Sequence, residues 1–309
     1  MAIYFLNLKN FGRANGSSAV RAAAYRAGER IHDERSGKTY DYSGRDDVVH
    51  KEIIVPGEFA ADDLAWAKDR SILWNSAEQA ETRQNARVAR EYLVALPFEL
   101  PQESRVHLAR EFSRELVERY RFAADLTVHA PRDFPGSDPR NFHAHLLATT
   151  REATGAGLGA KTALEWSDGR RREAGLQPVI TELLHVRRRW AETTNEFLSQ
   201  GHLQGRIDHR TLQAQGIDRE PQPWIPRVAF EMERHGYRSE LAERIREEHQ
   251  ARMDARLQRE AQQAKSSAGP QSLEQIRRES RENWLRLRQA NAEPAREAGE
   301  RSPDDDLAR

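Results

Sequence analysis

Hydrophobic positions along this chain follow two different periods. Ala2–Leu8, Val48–Val55, Val88–Leu96, Leu126–His129 and Phe142–Leu147 are short apolar or alternating runs rich in β-branched and aromatic residues. Each is bounded by turn residues, and each predicts a strand. Elsewhere the apolar residues recur at helical spacing. Ala19 to Gly28 is mostly Ala and Arg, with Ser17 and Ser18 as candidate N-caps and Gly28 where a C-terminal cap would fall. Helices are also predicted over Ala61–Ala67, over Arg70–Ala86, and after Pro101 through Leu108, Phe112 and Leu116 to Tyr120. A further one runs from about Val179 to Gln200, carries Leu183, Val186, Trp190 and Phe197, and stops at Gly201. This order predicts an α+β fold, a central and mainly antiparallel sheet with flanking helices.

The segments between read as irregular. Asn10–Gly16 and Asp33–Arg45 are turn-rich, and Gly155, Gly157 and Gly159 with Arg170–Arg172 predict a flexible basic loop. Pro221, Pro223 and Pro226 would interrupt any regular element and put a domain boundary near residue 220. That gives a domain over 1–220 and a charged helical extension over 221–309. In the extension Glu and Arg dominate Ser239–Lys265 and Ser272–Asn291, and Arg296–Arg309 has the composition of a disordered end.

Composition narrows the chemistry. The 309 residues contain 49 Lys plus Arg against 49 Asp plus Glu, a formal charge of zero, which argues against a surface that is everywhere a nucleic-acid magnet and leaves room for a local groove. There is no cysteine, so disulfides, thiolate metal sites and a cysteine nucleophile are excluded, and any metal site must use imidazole and carboxylate. No run of roughly 18 apolar residues and no basic n-region before an apolar stretch is present, so the expectation is a cytoplasmic protein with no membrane partner.

The His143-Ala144-His145 pattern then stands out. In a strand both imidazoles share a face, and if this strand pairs antiparallel with Leu126–His129, His129 joins them in a three-imidazole site. Taken singly, each histidine has a structural role as its simpler reading; two on one face are costly to bury without a shared cation or hydrogen-bond partners. The other histidines, among them His32, His50, His107, His185 and His249, read as surface or capping residues. Tyr25 is either an aromatic packed on the sheet or a nucleophile, since a phenolate can attack phosphorus if a nearby cation or base offsets its ordinary pKa of about 10. Glu91 is open to three readings: a solvent-facing strand residue, a carboxylate orienting a ligand histidine, or a base for Tyr25. Asp33, Glu34 and Asp41 read as loop residues. Arg170–Arg172 and Arg187–Arg189 read as solvated faces that would become phosphate contacts beside a DNA channel, with Trp166 for stacking and Trp190 as core.

Several separated motifs occur together in one order: Ile3–Asn7, Ser17–Glu29 around Tyr25, Asp41-Tyr42-Ser43-Gly44, Trp74-Asn75, Arg90-Glu91 with Val94–Pro97, Asn141 with His143-Ala144-His145, and Arg206–Arg210. In these the chain resembles the MobA/MobL (MobQ-type) plasmid mobilisation relaxases of the HUH endonuclease superfamily, over roughly Ala2 to Pro221. It departs from the pattern at Trp224-Ile225-Pro226, where a His and a Gly are expected.

The resemblance implies a metal-dependent enzyme that nicks one DNA strand at a plasmid transfer origin and recloses it. Tyr25 would form a 5′-phosphotyrosyl link, His129, His143 and His145 would hold Mg²⁺ or Mn²⁺, and Glu91 matches an acidic residue near the site. The implied partners are single-stranded DNA at the transfer origin, accessory mobilisation proteins and a coupling protein. Three alternatives remain open at this point: a rolling-circle replication initiator of the same fold, a non-catalytic DNA-binding accessory protein, and a metal hydrolase of small phosphoesters.

Overall fold

The computed structural model describes residues 3–57, 63–132, 137–267 and 277–288. The expectation for Arg296–Arg309 and parts of those for Ala61–Ala67 and Ser272–Asn291 fall outside them. The chain forms two compact units, Met1–Thr211 and Leu212–Arg309.

In the first unit the strands are β1 (Leu6–Gly12), β2 (Arg30–Asp33), β3 (Lys38–Asp41), β4 (Val48–Ile54), β5 (Arg87–Ala95), β6 (Phe122–His129), β7 (His143–Thr154) and β8 (Gly157–Lys161). The helices are α1 (Ala19–Ala27), α2 (Ala65–Lys68), α3 (Arg70–Gln79), α4 (Gln102–Tyr120), α5 (Asp168–Glu173) and α6 (Val179–Gln200). The main sheet runs β1-β5-β7-β6-β4, every neighbouring pair antiparallel, with β8 added to the far end of β7; β2 and β3 make a separate hairpin. This is the predicted α+β architecture, and β7 lies at its centre.

Strand alternation divides the interior into two layers. Ala144, Leu146 and Ala148 of β7 point toward α4 and α6, in one core with Leu108, Phe112, Leu116, Val186 and Trp190. Phe112 and Trp190 meet edge-on, with ring centroids 5.0 Å apart. Leu147 points the other way, into a smaller core built from Val20, Ala23 and Ala24 of α1 and Leu73 and Trp74 of α3. His143 and His145 share the face of Leu147, so α1 and α3 cover the histidine side of the sheet.

Short side chains let α1 lie close to that face. Ala22, Ala23 and Ala24 are buried, the Ser18 side chain caps the helix by accepting from the Arg21 N–H, and Gly28 ends it in the left-handed conformation at φ 61°. At Gly28 a side chain would be strained by the backbone and would also bring a Cβ within 3.3 Å of the Arg45 Cβ and the Val48 Cγ2. On the same face the buried Asp125 accepts from Arg70 at 2.7 and 2.9 Å and from the Trp74 indole at 3.0 Å, which pins α3 to β6.

Four local expectations are corrected. The first strand runs Leu6–Gly12, later than Ala2–Leu8, because its extent is set by pairing with β5 from Leu6↔Val94 onward, while Ile3 and Phe5 are exposed. Asp33–Arg45 holds the turn and second strand of the β2–β3 hairpin, whose alternation is hidden because few of its residues are buried. The helix predicted to Ala86 ends at Gln79. The glycine-rich stretch after Thr150 is not a loop: β7 continues to Thr154 and turns into β8, and Arg170–Arg172 sit on α5, where the buried Arg171 donates to the Gln177 and Ala163 carbonyls at 2.6 and 2.5 Å.

The second unit holds α7 (Arg227–Arg234) and α8 (Glu240–Ser267), and residues 277–288 are helical. Among its described residues only Ala229 and Ala242 are buried hydrophobics, and ion pairs such as Arg246–Glu233 at 2.6 Å and Arg252–Glu220 at 2.7 Å link its segments. This matches the solvated, charged helices expected from the Glu and Arg content. Among the described residues no helix is long and apolar enough to cross a membrane.

Candidate active site

Antiparallel pairing of β6 and β7 sets His129 directly opposite His143, and His145 opposite Thr127. Directly opposed residues share a face, so the three imidazoles converge as the spacing suggested. Their ring centroids lie 5.2 Å (His129–His143), 4.9 Å (His129–His145) and 5.2 Å (His143–His145) apart. One ring nitrogen from each lies within 4.8 Å of the other two.

Hydrogen bonds on the outer nitrogens assign which nitrogens those are. His145 donates from Nδ1 to the Glu91 Oε1 at 2.6 Å, and His143 donates from Nδ1 to the Asn141 carbonyl at 3.0 Å, which leaves both Nε2 lone pairs free. His129 is reversed: its Nε2 donates to the Arg26 carbonyl at 2.8 Å, so Nδ1 carries the lone pair. Burial, and for His129 the neighbouring imidazoles as well, lowers the pKa of all three, that of His129 to about 3. They are therefore neutral at physiological pH, the state in which imidazole is a ligand. Three neutral nitrogens with oriented lone pairs fit a divalent cation with coordination positions left over.

Glu91 is buried, which excludes the solvent-facing reading. Burial by itself would raise its carboxyl, but hydrogen bonds from His145 and Arg26 and the Arg26 charge hold it at about 2. Its Oε1 accepts from both the His145 ring and the Arg26 guanidinium, so what it touches is a candidate ligand and the helix that carries Tyr25.

Tyr25 projects from α1 with 42% of its surface exposed, and its ring meets that of Tyr42 edge-on at 5.2 Å. Arg45 also packs on it, with its guanidinium carbon 4.2 Å from the Tyr25 ring centroid. The same Arg45 places Nη2 3.1 Å from the His129 Nδ1 and binds Asp47 at 2.8 and 2.5 Å. Tyr25 is thus joined to the imidazole cluster through one arginine. Asp47 is held far below the usual carboxylate range: burial opposes this, but Arg45 and Arg132 outweigh it.

Sequence reasoning missed Arg45, Asp47 and Arg26. Arg45 and Asp47 sit beyond the β2–β3 hairpin, in a stretch whose only signal was its charge. Arg26 adjoins Tyr25 on a helix where arginine is an ordinary helix former.

Comparison with known proteins gives a consistent picture. The MobA/MobL family model matches residues 17–235. A mobilization protein MobL of Acidithiobacillus ferridurans is 34% identical over 300 residues, which covers 91% of this chain and 73% of that one. A probable mobilization protein MobA of Bifidobacterium longum is 33% identical over 278 residues, covering 80% of this chain and 47% of that protein. A solved structure described as the molecular basis of vancomycin resistance transfer in Staphylococcus aureus superposes with a TM-score of 0.54 at 27% identity, covering 68% of this chain and 100% of the other.

Proposed function

The chain belongs to the MobA/MobL family, and from that premise we propose that it is a DNA relaxase: a transesterase that nicks a single strand at a plasmid transfer origin through Tyr25 and recloses it after transfer. The observation that carries this reading is the joining of an exposed tyrosine, through Arg45, to three neutral imidazoles whose inward ring nitrogens face one another.

In the proposed reaction the Tyr25 oxygen attacks the scissile phosphorus, the bond from phosphorus to the 3′-oxygen breaks, and the phenol proton is balanced by the proton gained at the released 3′-hydroxyl. One phosphodiester replaces another without water, so little free energy is lost and the same residues can run the step backwards to reseal the strand. His129 Nδ1, His143 Nε2 and His145 Nε2 would hold the cation, Mg²⁺ or Mn²⁺, which when bound polarises the phosphate and stabilises its developing charge. Asn141, Glu91 and Arg26 hold the three rings in the required tautomers. In this reading Glu91 acts as a positioning residue through its hydrogen bond to His145. The proposed partners are single-stranded DNA at the transfer origin, accessory mobilisation proteins and a coupling protein, and the proposed compartment is the cytoplasm.

The test is a labelled single-stranded oligonucleotide spanning the transfer origin of the replicon that carries the gene, incubated with the protein and Mn²⁺. An SDS-resistant protein–DNA adduct is expected, absent in Tyr25→Phe. An undiminished adduct in that variant would remove Tyr25 from its role.

A further inference from the structure

Arg45 has a donor group with no partner among the described residues. Its side chain is 9% exposed, and that donor, Nη1, is buried, although a buried guanidinium nitrogen is costly to leave unpaired. The other two nitrogens are occupied: Nε by Asp47, Nη2 by Asp47 and by the His129 Nδ1. The guanidinium plane also lies against the Tyr25 ring. An arginine serving only as an ion-pair partner for Asp47 has no need to reach either the tyrosine or the histidine.

Its contact with His129 has a further consequence. Nδ1 is the only lone pair His129 has left, because Nε2 donates to the Arg26 carbonyl. Arg45 and a cation therefore compete for the same nitrogen. When Arg45 yields it, Asp47 is not stranded, since Arg132 also binds that carboxylate at 3.0 and 3.2 Å. The freed guanidinium then has two N–H-bearing nitrogens beside the tyrosine ring, in the fork geometry that suits two oxygens of one phosphate.

Resting on the relaxase reading above, we propose that Arg45 is a further catalytic residue. It gives up His129 Nδ1 when that nitrogen takes a cation, and it turns to bind the nonbridging oxygens of the scissile phosphate as Tyr25 attacks. Cation uptake and phosphate capture are thereby coupled through a single side chain, and an arginine that has not been displaced leaves the phosphate site incomplete.

The experiment compares the full-length protein with Arg45→Gln and Arg45→Lys, each first checked for an unchanged melting transition. Mn²⁺ affinity is measured by calorimetry without DNA, and adduct yield with the transfer-origin oligonucleotide. Arg45→Gln should bind Mn²⁺ several-fold more tightly, because a competing cation is gone, yet form the adduct on the order of 100-fold more slowly. Arg45→Lys should recover part of the adduct rate. A purely structural arginine would weaken both measurements together, so Mn²⁺ affinity that is unchanged or lower in Arg45→Gln, or an undiminished adduct, overturns the proposal. If the wild-type protein forms no adduct at all, the relaxase reading is what fails, and the Mn²⁺ comparison alone decides whether Arg45 competes for His129.

Discussion

The Nδ1 of His145 donates to Glu91 across 2.6 Å, from one central strand to the next, and the same carboxylate oxygen holds the Arg26 guanidinium. One carboxylate therefore sets both the tautomer of a candidate ligand and the seating of α1. Glu91→Ala leaves Arg26 buried without its counter-charge, and a loss of about 3 kcal/mol is expected in denaturant unfolding. Glu91→Gln keeps an acceptor and should cost less, with weaker Mn²⁺ binding. A Glu91→Ala protein as stable as the wild type would show that the pair contributes nothing.

The donor set favours some metals over others. Mg²⁺ prefers oxygen ligands and gives up its waters reluctantly, whereas imidazole suits later divalent ions. At equal concentration Mn²⁺ is expected to raise the melting temperature more than Mg²⁺, with a stabilisation of about 2.7 kcal/mol at a hundred times its dissociation constant. His143→Ala should abolish the difference. Equal shifts from the two ions in the wild-type protein would contradict a three-imidazole site.

Tyr25 is partly exposed on α1, and its hydroxyl oxygen is the only heavy atom lost in Tyr25→Phe. The ring contacts to Tyr42 and Arg45 survive the change. Unfolding free energy should stay within about 0.5 kcal/mol of the wild type, so a missing adduct in that variant could not be ascribed to misfolding. A large fall in stability would assign the hydroxyl a structural role.

Acid should weaken the fold before any global titration of carboxylates. The His129 pKa lies near 3 in the folded chain against an ordinary 6.5, so the unfolded chain binds the extra proton between these values. Stability is whole above pH 6.5 and falls as the pH drops from there toward 3. Glu91, held at about 2 against 4.5, adds a second loss below pH 4.5. Thermal melts from pH 7.5 to 4 check this, and His129→Gln should flatten the upper part of the profile. A wild-type melting temperature constant over that range would contradict the burial of a neutral His129.

On the opposite side of the sheet, Phe112 of α4 is fully buried and packs edge-on against Trp190 of α6. Phe112→Ala should destabilise the protein by about 3–5 kcal/mol, measured by urea unfolding, with the relative Mn²⁺ and Mg²⁺ shifts preserved in the fraction that remains folded. Loss of the ion preference at native stability would mean that the two faces are not independent.

How far the chain could be read varied with the physical signal each part carries. Buried elements with a strong period, β5, β6, α4 and α6, were legible, as was the shared face of His143 and His145, because strand alternation is strict. The β2–β3 hairpin and β8 were hidden, since few of their residues are fully buried and their pairing depends on partners that no local pattern reveals. The site was legible where its residues have distinctive chemistry, as with the histidines and Tyr25. Arg26, Arg45 and Asp47 escaped notice because charged side chains are common on surfaces, and only the tertiary fold distinguishes these from the rest.

Arg26 touches His129 through its backbone and Glu91 through its side chain, and it adjoins Tyr25. Its partner His129 lies 103 residues further along the chain. During synthesis α1 therefore emerges long before the strands that receive it, and a half-made chain has the tyrosine but nothing to aim it at. The imidazole orientations and the seating of the helix arise together, when that long loop closes. An incomplete or partly unfolded molecule therefore lacks the assembled site, and under the proposed relaxase reading the ability to cut would become a report that the whole domain has folded.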